Sequence, residues 1–182
     1  GMRNPMNSWD KSDSAWYIDL NPVVDKGAEY RIGPNDLALM KKLVNAGSDH
    51  SKFMRMINVT ADITAPLYWW KAYDTYKVGT VSNSCSTMHK ITSKPIELSD
   101  FSIDDFPLYD VPDGITFADI FFDIVLDCEK MRQKFIETGN KRYWRALIQL
   151  LPTSYNQKRT VQLNYAVLRN MYHSRKNHKL DE

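Results

Sequence analysis

Between Met56 and Pro66 the chain switches its hydrophobic period, and no other stretch limits the possible fold as much. Ile57, Val59, Ala61 and Ile63 alternate with Asn58, Thr60, Asp62 and Thr64. A period of two puts one set on each face of a pleated strand, so the segment reads as a half-buried β-strand. Pro66 comes next, with the fixed φ and missing N–H that suit a first helical turn, and Leu67 to Tyr73 then reads as a Trp-rich helix. Any fold for this chain has to accommodate a strand that runs directly into a helix.

The stretch Pro66 to Lys90, PLYWWKAYDTYKVGTVSNSCSTMHK, is the candidate working surface. Its aromatics offer flat faces and the run SNSCST behind them offers hydroxyls. Together they suit a flat polar ligand such as a nucleotide or a flavin, whose rings stack while Ser, Thr and Asn satisfy its heteroatoms. The competing reading makes the aromatics core and the Ser/Asn run a turn.

The rest of the chain fits one domain over 1–182. Residues 1–27 carry Asn, Ser, Asp and Pro with Trp9, Trp16 and Tyr17, and read as an irregular arm packed on that domain by its aromatics. Ala28 to Ile32 is a short strand candidate. A helix with Leu37, Met40, Leu43 and Val44 on one face follows, capped by Asn35 or Asp36 and stopped at Gly47. Residues 91–115, with Pro95, Pro107 and Pro112, read as an extended loop of a length suited to covering an active site. Thr116 and Asp119 have capping-box spacing and open the longest helix, with Phe117, Ile120, Phe121, Ile124, Cys128, Met131 and Phe135 inward and Gly139 at its end. Asn140 caps a shorter helix carrying Tyr143, Trp144, Leu147 and Leu151, and Pro152 stops it. Thr153 to Gln162 is an extended candidate. The last helix runs from about Asn164, with Leu168, Met171, Tyr172 and Arg175 along its apolar side.

Charge and cysteine content narrow the partners. A formal charge of +2 does not imply nucleic acid, and the basic residues gather after Lys158, which suits an anionic small molecule. Two cysteines, Cys85 and Cys128, make no disulfide framework, as a reducing cytoplasm permits. Four histidines (His50, His89, His173, His178) fall in no metal-binding spacing, so no metal is expected. No apolar run approaches the roughly 20 residues of a membrane span, and no signal peptide is visible.

Two separated motifs resemble those of the flavin-dependent thymidylate synthases, also called the thymidylate-synthase-complementing family. That family has a strand, a Pro-led helix and then R-H-R-x-x-S-x-N-x-x-S-x-R-Y; laid on this chain the signature begins at Tyr76, and Asn83 and Ser86 match. Near the C-terminus the family's spacing of Leu-Pro, Asn, Leu and Arg is reproduced by Leu151-Pro152, Asn164, Leu168 and Arg175.

The resemblance implies an α+β fold, a sheet flanked by helices, assembled as a homotetramer. It also implies methyl transfer to dUMP from methylenetetrahydrofolate, with FAD recharged by NADPH. On this scheme Arg175 and Ser86 are catalytic, Arg175 polarising a pyrimidine carbonyl. Asn83, Ser84, Ser86, His89 and Arg175 bind the nucleotide, and Lys77 and Asn164 meet the flavin. Donors aimed at O2 or O4 suit the charge that develops on an activated uracil.

The departures bear on the cofactor. Tyr76-Lys77-Val78 stands for R-H-R, Val81 for the first Ser, and Met88-His89 for R-Y. A lysine is a point charge without the guanidinium fork, so FAD is expected to bind weakly or not at all. Three readings stay open: a divergent enzyme acting on a pyrimidine nucleotide, a non-catalytic nucleotide-binding or structural homologue without the flavin site, and an unrelated α+β domain. Cys85 as a nucleophile is the weaker reading, since no His or Arg adjoins it closely in sequence.

Overall fold

The alternation at 57–63 forms the strand it predicts, and the Trp-rich run behind Pro66 forms the helix. The structure, a computed structural model, describes residues 2–3, 6, 9–18, 28–104 and 116–178. The part of the expected loop that holds Pro107 and Pro112 lies outside these, as does 19–27 of the expected arm. In chain order the elements are β1 (Ala15–Ile18), β2 (Ala28–Arg31), α1 (Pro34–Asn45), β3 (Asn58–Pro66), α2 (Leu67–Tyr73), β4 (Thr80–Ser84), α3 (Thr87–Lys90), α4 (Phe117–Thr138), α5 (Lys141–Leu150), β5 (Asn156–Asn164) and α6 (Tyr165–Arg175), with 3-10 turns at Lys52–Met56 and Leu98–Asp100. Strands and helices thus form the expected α+β architecture. The described residues fall into two compact units, one holding those up to Val59 and from Leu163 on, the other holding Thr60 to Gln162.

In the first unit, β1 and β2 pair antiparallel with Trp16 opposite Tyr30. The two rings meet edge-on at 5.3 Å, and the Arg31 guanidinium lies 4.9 Å from the Tyr17 ring. An irregular arm is therefore not what 15–18 forms. A four-residue strand exposed on both faces leaves no polar alternation to read. Nor do its aromatics act as anchors, since Trp9 is 87% and Trp16 67% exposed.

The cap of α1 also differs from expectation. Asn35 and Asp36 lie inside the helix, and the Asp13 carboxylate accepts from both of their backbone N–H groups, at 2.8 and 2.9 Å. Gly33 makes room for this, because a Cβ there would stand 2.2 Å from Asp13 Cγ. Gly47, with φ of 109°, ends the helix region as expected. Its apolar stripe is shallow: Leu37 is exposed, and Asp36 is the helix's buried residue. The 3-10 turn at Lys52–Met56 buries Phe53 and Met54 and packs on α6.

In the second unit β5 is the central strand of the order β3-β5-β4. Val59, Ala61 and Ile63 are half-buried while Asn58, Thr60, Asp62 and Thr64 are exposed. The first N–H groups of α2 have no side-chain cap. Leu67 donates to the Tyr155 carbonyl at 3.0 Å and Tyr68 to that of Thr153 at 3.1 Å, so the helix start is satisfied by the chain entering β5.

The capping box at Thr116 and Asp119 is formed, Gly139 ends α4 with φ of 65°, and Asn140 caps α5. The inward face of α4, however, is Ala118, Phe121, Val125 and Cys128, whereas Phe117 and Ile120 are about half exposed. Apolar residues lie on several sides of this helix, so periodicity alone did not single out the stripe carrying its two small residues.

Phe121, Val125 and Cys128 meet Leu147 of α5 and Ile91, Ile96 and Phe101. The segment 91–104 is thus anchored in the core rather than being a free loop. Glu129 accepts the Ile96 N–H at 2.9 Å and pairs with Arg132 at 2.7 Å, while Arg132 also donates to the Thr92 carbonyl.

Candidate functional site

The SNSCST run is not a simple turn. Thr80–Ser84 forms β4, and Ser86 starts the short helix α3, its carbonyl accepting from His89 N–H at 3.1 Å and Lys90 N–H at 3.0 Å. Asn83, Ser84, Ser86 and His89 are all exposed. Among the described residues, none of these four side chains is held by a hydrogen bond from the protein. Four polar groups lie close together along one short stretch, and their donors and acceptors stay uncommitted.

Behind them the packing is dense. Trp70 is 1% exposed, Tyr73 is buried, and the Trp69 and Tyr73 rings stack at 5.3 Å. The aromatic run is therefore core at these positions rather than a platform for a flat ligand. The Trp70 indole N–H donates to the Gln157 carbonyl at 2.9 Å, and the Arg159 guanidinium lies 4.3 Å from the Trp70 ring. Arg159 also donates to Asp74 at 2.9 Å and, through Nε, to the Gln157 side-chain oxygen at 2.7 Å. The Gln157 amide nitrogen then reaches Thr87 Oγ1 at 2.9 Å and the Cys85 carbonyl at 3.4 Å. The sequence reading missed Gln157 and Arg159. Their spacing of two on a strand, which puts both on one face, was the available signal.

Beside His89 opens a cleft of about 320 Å³ lined by Met88, His89, Thr92, Phe135, Lys141 and Trp144. The Trp144 indole N–H donates to the Met88 carbonyl at 2.9 Å and so sets the ring as a wall. Lys141 and Trp144 carry no motif, and only the packing of α5 on α4 brings them to His89.

Asn164 and Arg175 belong to the other unit. Asn164 caps α6, its side-chain oxygen accepting the Val167 N–H at 3.2 Å, and among the described residues its amide NH₂ donates to no protein group. Arg175 is half-buried with Nη1 3.4 Å from His178 Nε2. On the expected apolar side of α6, Met171 is half-buried, while Leu168 is 36% and Tyr172 64% exposed.

Lys77 is exposed in the turn before β4, and Val78 is 90% exposed. One ammonium stands where the resemblance places two guanidiniums and an imidazole, so the residues present do not fit a flavin cradle of that kind. Cys85 is exposed, whereas Cys128 is fully buried and its thiol is pushed up to about 11 by burial. Among the described residues no group of three His, Cys, Asp or Glu is placed to hold a metal ion, and no helix is long and apolar enough to cross a membrane.

No protein-family model matches the chain, and no curated protein matches it by sequence. Solved structures do match. The flavin-dependent thymidylate synthase ThyX from Helicobacter pylori, complexed with FAD and dUMP, aligns at 17% identity with a TM-score of 0.57, over 81% of this chain and 71% of that one. A second structure of the same enzyme with FAD and dUMP aligns at 16% identity, TM-score 0.56 and the same coverage. The UMP/dUMP methylase PolB from Streptomyces cacaoi, bound with 5-Br UMP, aligns at 12% identity and a TM-score of 0.52, over 78% of this chain and 65% of that one. The chain thus has the fold of the flavin-dependent thymidylate synthases, at low sequence identity.

Proposed function

We propose that this chain binds a pyrimidine nucleotide on the stretch from Asn83 to His89 and has lost the family's flavin cradle. The observation that carries the reading is the set of uncommitted, exposed polar side chains at Asn83, Ser84, Ser86 and His89, of which Asn83 and Ser86 match the signature. Hydroxyl and amide donors suit pyrimidine and sugar oxygens, and His89 faces a cleft whose Lys141 adds positive charge for a phosphate. Trp144 offers that cleft an apolar ring face. Support from relatives is that the matched structures carry dUMP or 5-Br UMP.

In the same reading Arg175 serves the pyrimidine carbonyl. Lys77 and the amide of Asn164 are what remains of the flavin contacts. The protein acts as a homotetramer in the cytoplasm; Phe117, Ile120, Phe122, Leu126 and Ile136, all exposed on α4, supply apolar surface for assembly. Calorimetric titration with dUMP, UMP, AMP and GMP tests the reading. Saturable binding of dUMP or UMP in preference to the purines is expected, and equal or absent binding rejects it.

A second reading, methylation of the bound nucleotide with FAD, NADPH and methylenetetrahydrofolate, is favoured by the retained spacing of Leu151, Pro152, Asn164, Leu168 and Arg175. Formation of dTMP from dUMP in the complete mixture is its test.

A further inference from the structure

We propose that Gln157 is a positioning residue for Ser86, the central side chain of the nucleotide site, and that Arg159 and Asp74 set its orientation. The proposal rests on the nucleotide reading above and adds residues that no signature motif includes.

The amide of Gln157 has two chemically different ends, and each faces a partner that accepts only one of them. Arg159 has donors and no acceptor, so the amide oxygen must face its Nε, 2.7 Å away. That turns the NH₂ end toward β4 and α3. There it meets the Cys85 carbonyl, which only accepts, and Thr87 Oγ1. These are the two residues flanking Ser86. One side chain on the central strand therefore grips both shoulders of the residue between them, while Ser86's own hydroxyl stays uncommitted.

Arg159 is itself fixed. Asp74 takes one terminal nitrogen at 2.9 Å, and the Trp70 ring covers the guanidinium at 4.3 Å. Trp70 in turn donates to the Gln157 backbone carbonyl. The relay from Asp74 through Arg159 and Gln157 closes on the same strand residue from both its side chain and its main chain. A hydroxyl on a loose turn would have to be ordered when a ligand binds, and prior ordering removes that cost.

Gln157→Glu is the discriminating change. It keeps the shape and the acceptor for Arg159, but it removes both donors to the loop and sets a carboxylate oxygen against the Cys85 carbonyl. Affinity for dUMP, measured by calorimetry at a temperature where the variant is fully folded, is expected to fall about 10-fold. In a Ser86→Ala background the same change is expected to cost less than about 2-fold, because positioning an absent hydroxyl gains nothing. Equal losses in the two backgrounds, or no loss in either, would overturn the proposal.

Hydrogen exchange decides the matter without a ligand. The His89 and Lys90 amides, which donate to the Ser86 carbonyl, should exchange faster in Gln157→Glu while amides of the α4–α5 hairpin stay unchanged. Unaltered exchange at His89 and Lys90 would reject the positioning role even if the protein bound no nucleotide. Faster exchange in Gln157→Glu, together with a wild-type protein that binds no pyrimidine nucleotide, would sink the functional reading and keep the relay.

Discussion

The indole N–H of Trp144 donates to the Met88 carbonyl across 2.9 Å, which ties α5 to α3 at the edge of the cleft that His89 lines. Trp144→Phe keeps a ring wall and loses the tie. It should cost about 1 kcal/mol of stability, the net worth of one hydrogen bond, and weaken dUMP modestly. His89→Ala should instead weaken dUMP at unchanged melting temperature, since His89 is exposed. Thermal unfolding and calorimetry on both variants separate the two effects. If His89→Ala leaves affinity untouched, the cleft is not part of the nucleotide site.

Flavin affinity is the second point to measure. Lys77 and Val78 are exposed and supply one ammonium where a cradle of donors is needed. Purified protein should be colourless, and FAD titration should give a dissociation constant weaker than about 1 μM, or −8 kcal/mol. Tighter binding would show that other residues have rebuilt the cradle.

What could be read from the sequence follows a physical division. Elements whose signal is local were legible: the alternation into β3, the capping box at Thr116, the Gly139 stop, the Asn140 cap and the start of α6 near Asn164. Those set by partners distant in sequence were not. Asp13 caps α1 across more than a helix length of chain, β1 needs β2 to be a strand at all, and Gln157 with Arg159 acquires meaning only beside Cys85 and Thr87. For the site, the signature marked Ser86 and its neighbours as candidates, but their solvent exposure and the burial of Trp70 and Tyr73 required the packing.

Acid should unfold the first unit through Asp36. Its buried carboxylate accepts from Ser12 at 2.6 Å, Ser14 at 2.7 Å and Arg3 at 2.7 Å. The Ser12 bond most of all, then those from Ser14 and Arg3, hold it well below the ordinary carboxylate range despite burial. With the folded pKa depressed, the stabilisation is present above the unfolded value of about 3.9 and is lost as pH falls below it. Asp36→Asn should therefore be less stable than wild type at neutral pH, by about 2 kcal/mol. That gap should narrow as pH falls from about 5 to about 3. A gap that stays constant across this range would show that the charge is not what matters.

Gly33 and Asp13 offer a test of the long-range cap. A methyl at Gly33 would overlap Asp13 Cγ and its carbonyl, at 2.2 and 2.4 Å, so Gly33→Ala must displace the carboxylate from the α1 N-terminus. Asp13→Ala removes the same cap directly, at about 0.5–2 kcal/mol. If both act through the cap, the double variant should be little worse than the more damaging single one, as residues sharing one interaction are not additive. Full additivity in urea unfolding would mean that the clash and the cap are separate effects.

Arg175 is the retained motif residue whose role most needs measurement. It is half-buried near the end of α6, with Nη1 within 3.4 Å of His178 Nε2, and α6 carries exposed Leu168 and Tyr172 rather than a buried stripe. Arg175→Lys keeps the charge and loses the planar fork. If the fork serves a pyrimidine carbonyl, dUMP binding should weaken by at least ~1 kcal/mol at unchanged melting temperature. If the arginine only ties down the end of α6, the melting temperature should fall and the affinity should hold. Calorimetry with dUMP, run beside thermal unfolding of both proteins, distinguishes these results. Unchanged affinity at unchanged stability would remove Arg175 from the nucleotide site and leave the Asn83–His89 stretch and Lys141 as its polar contacts.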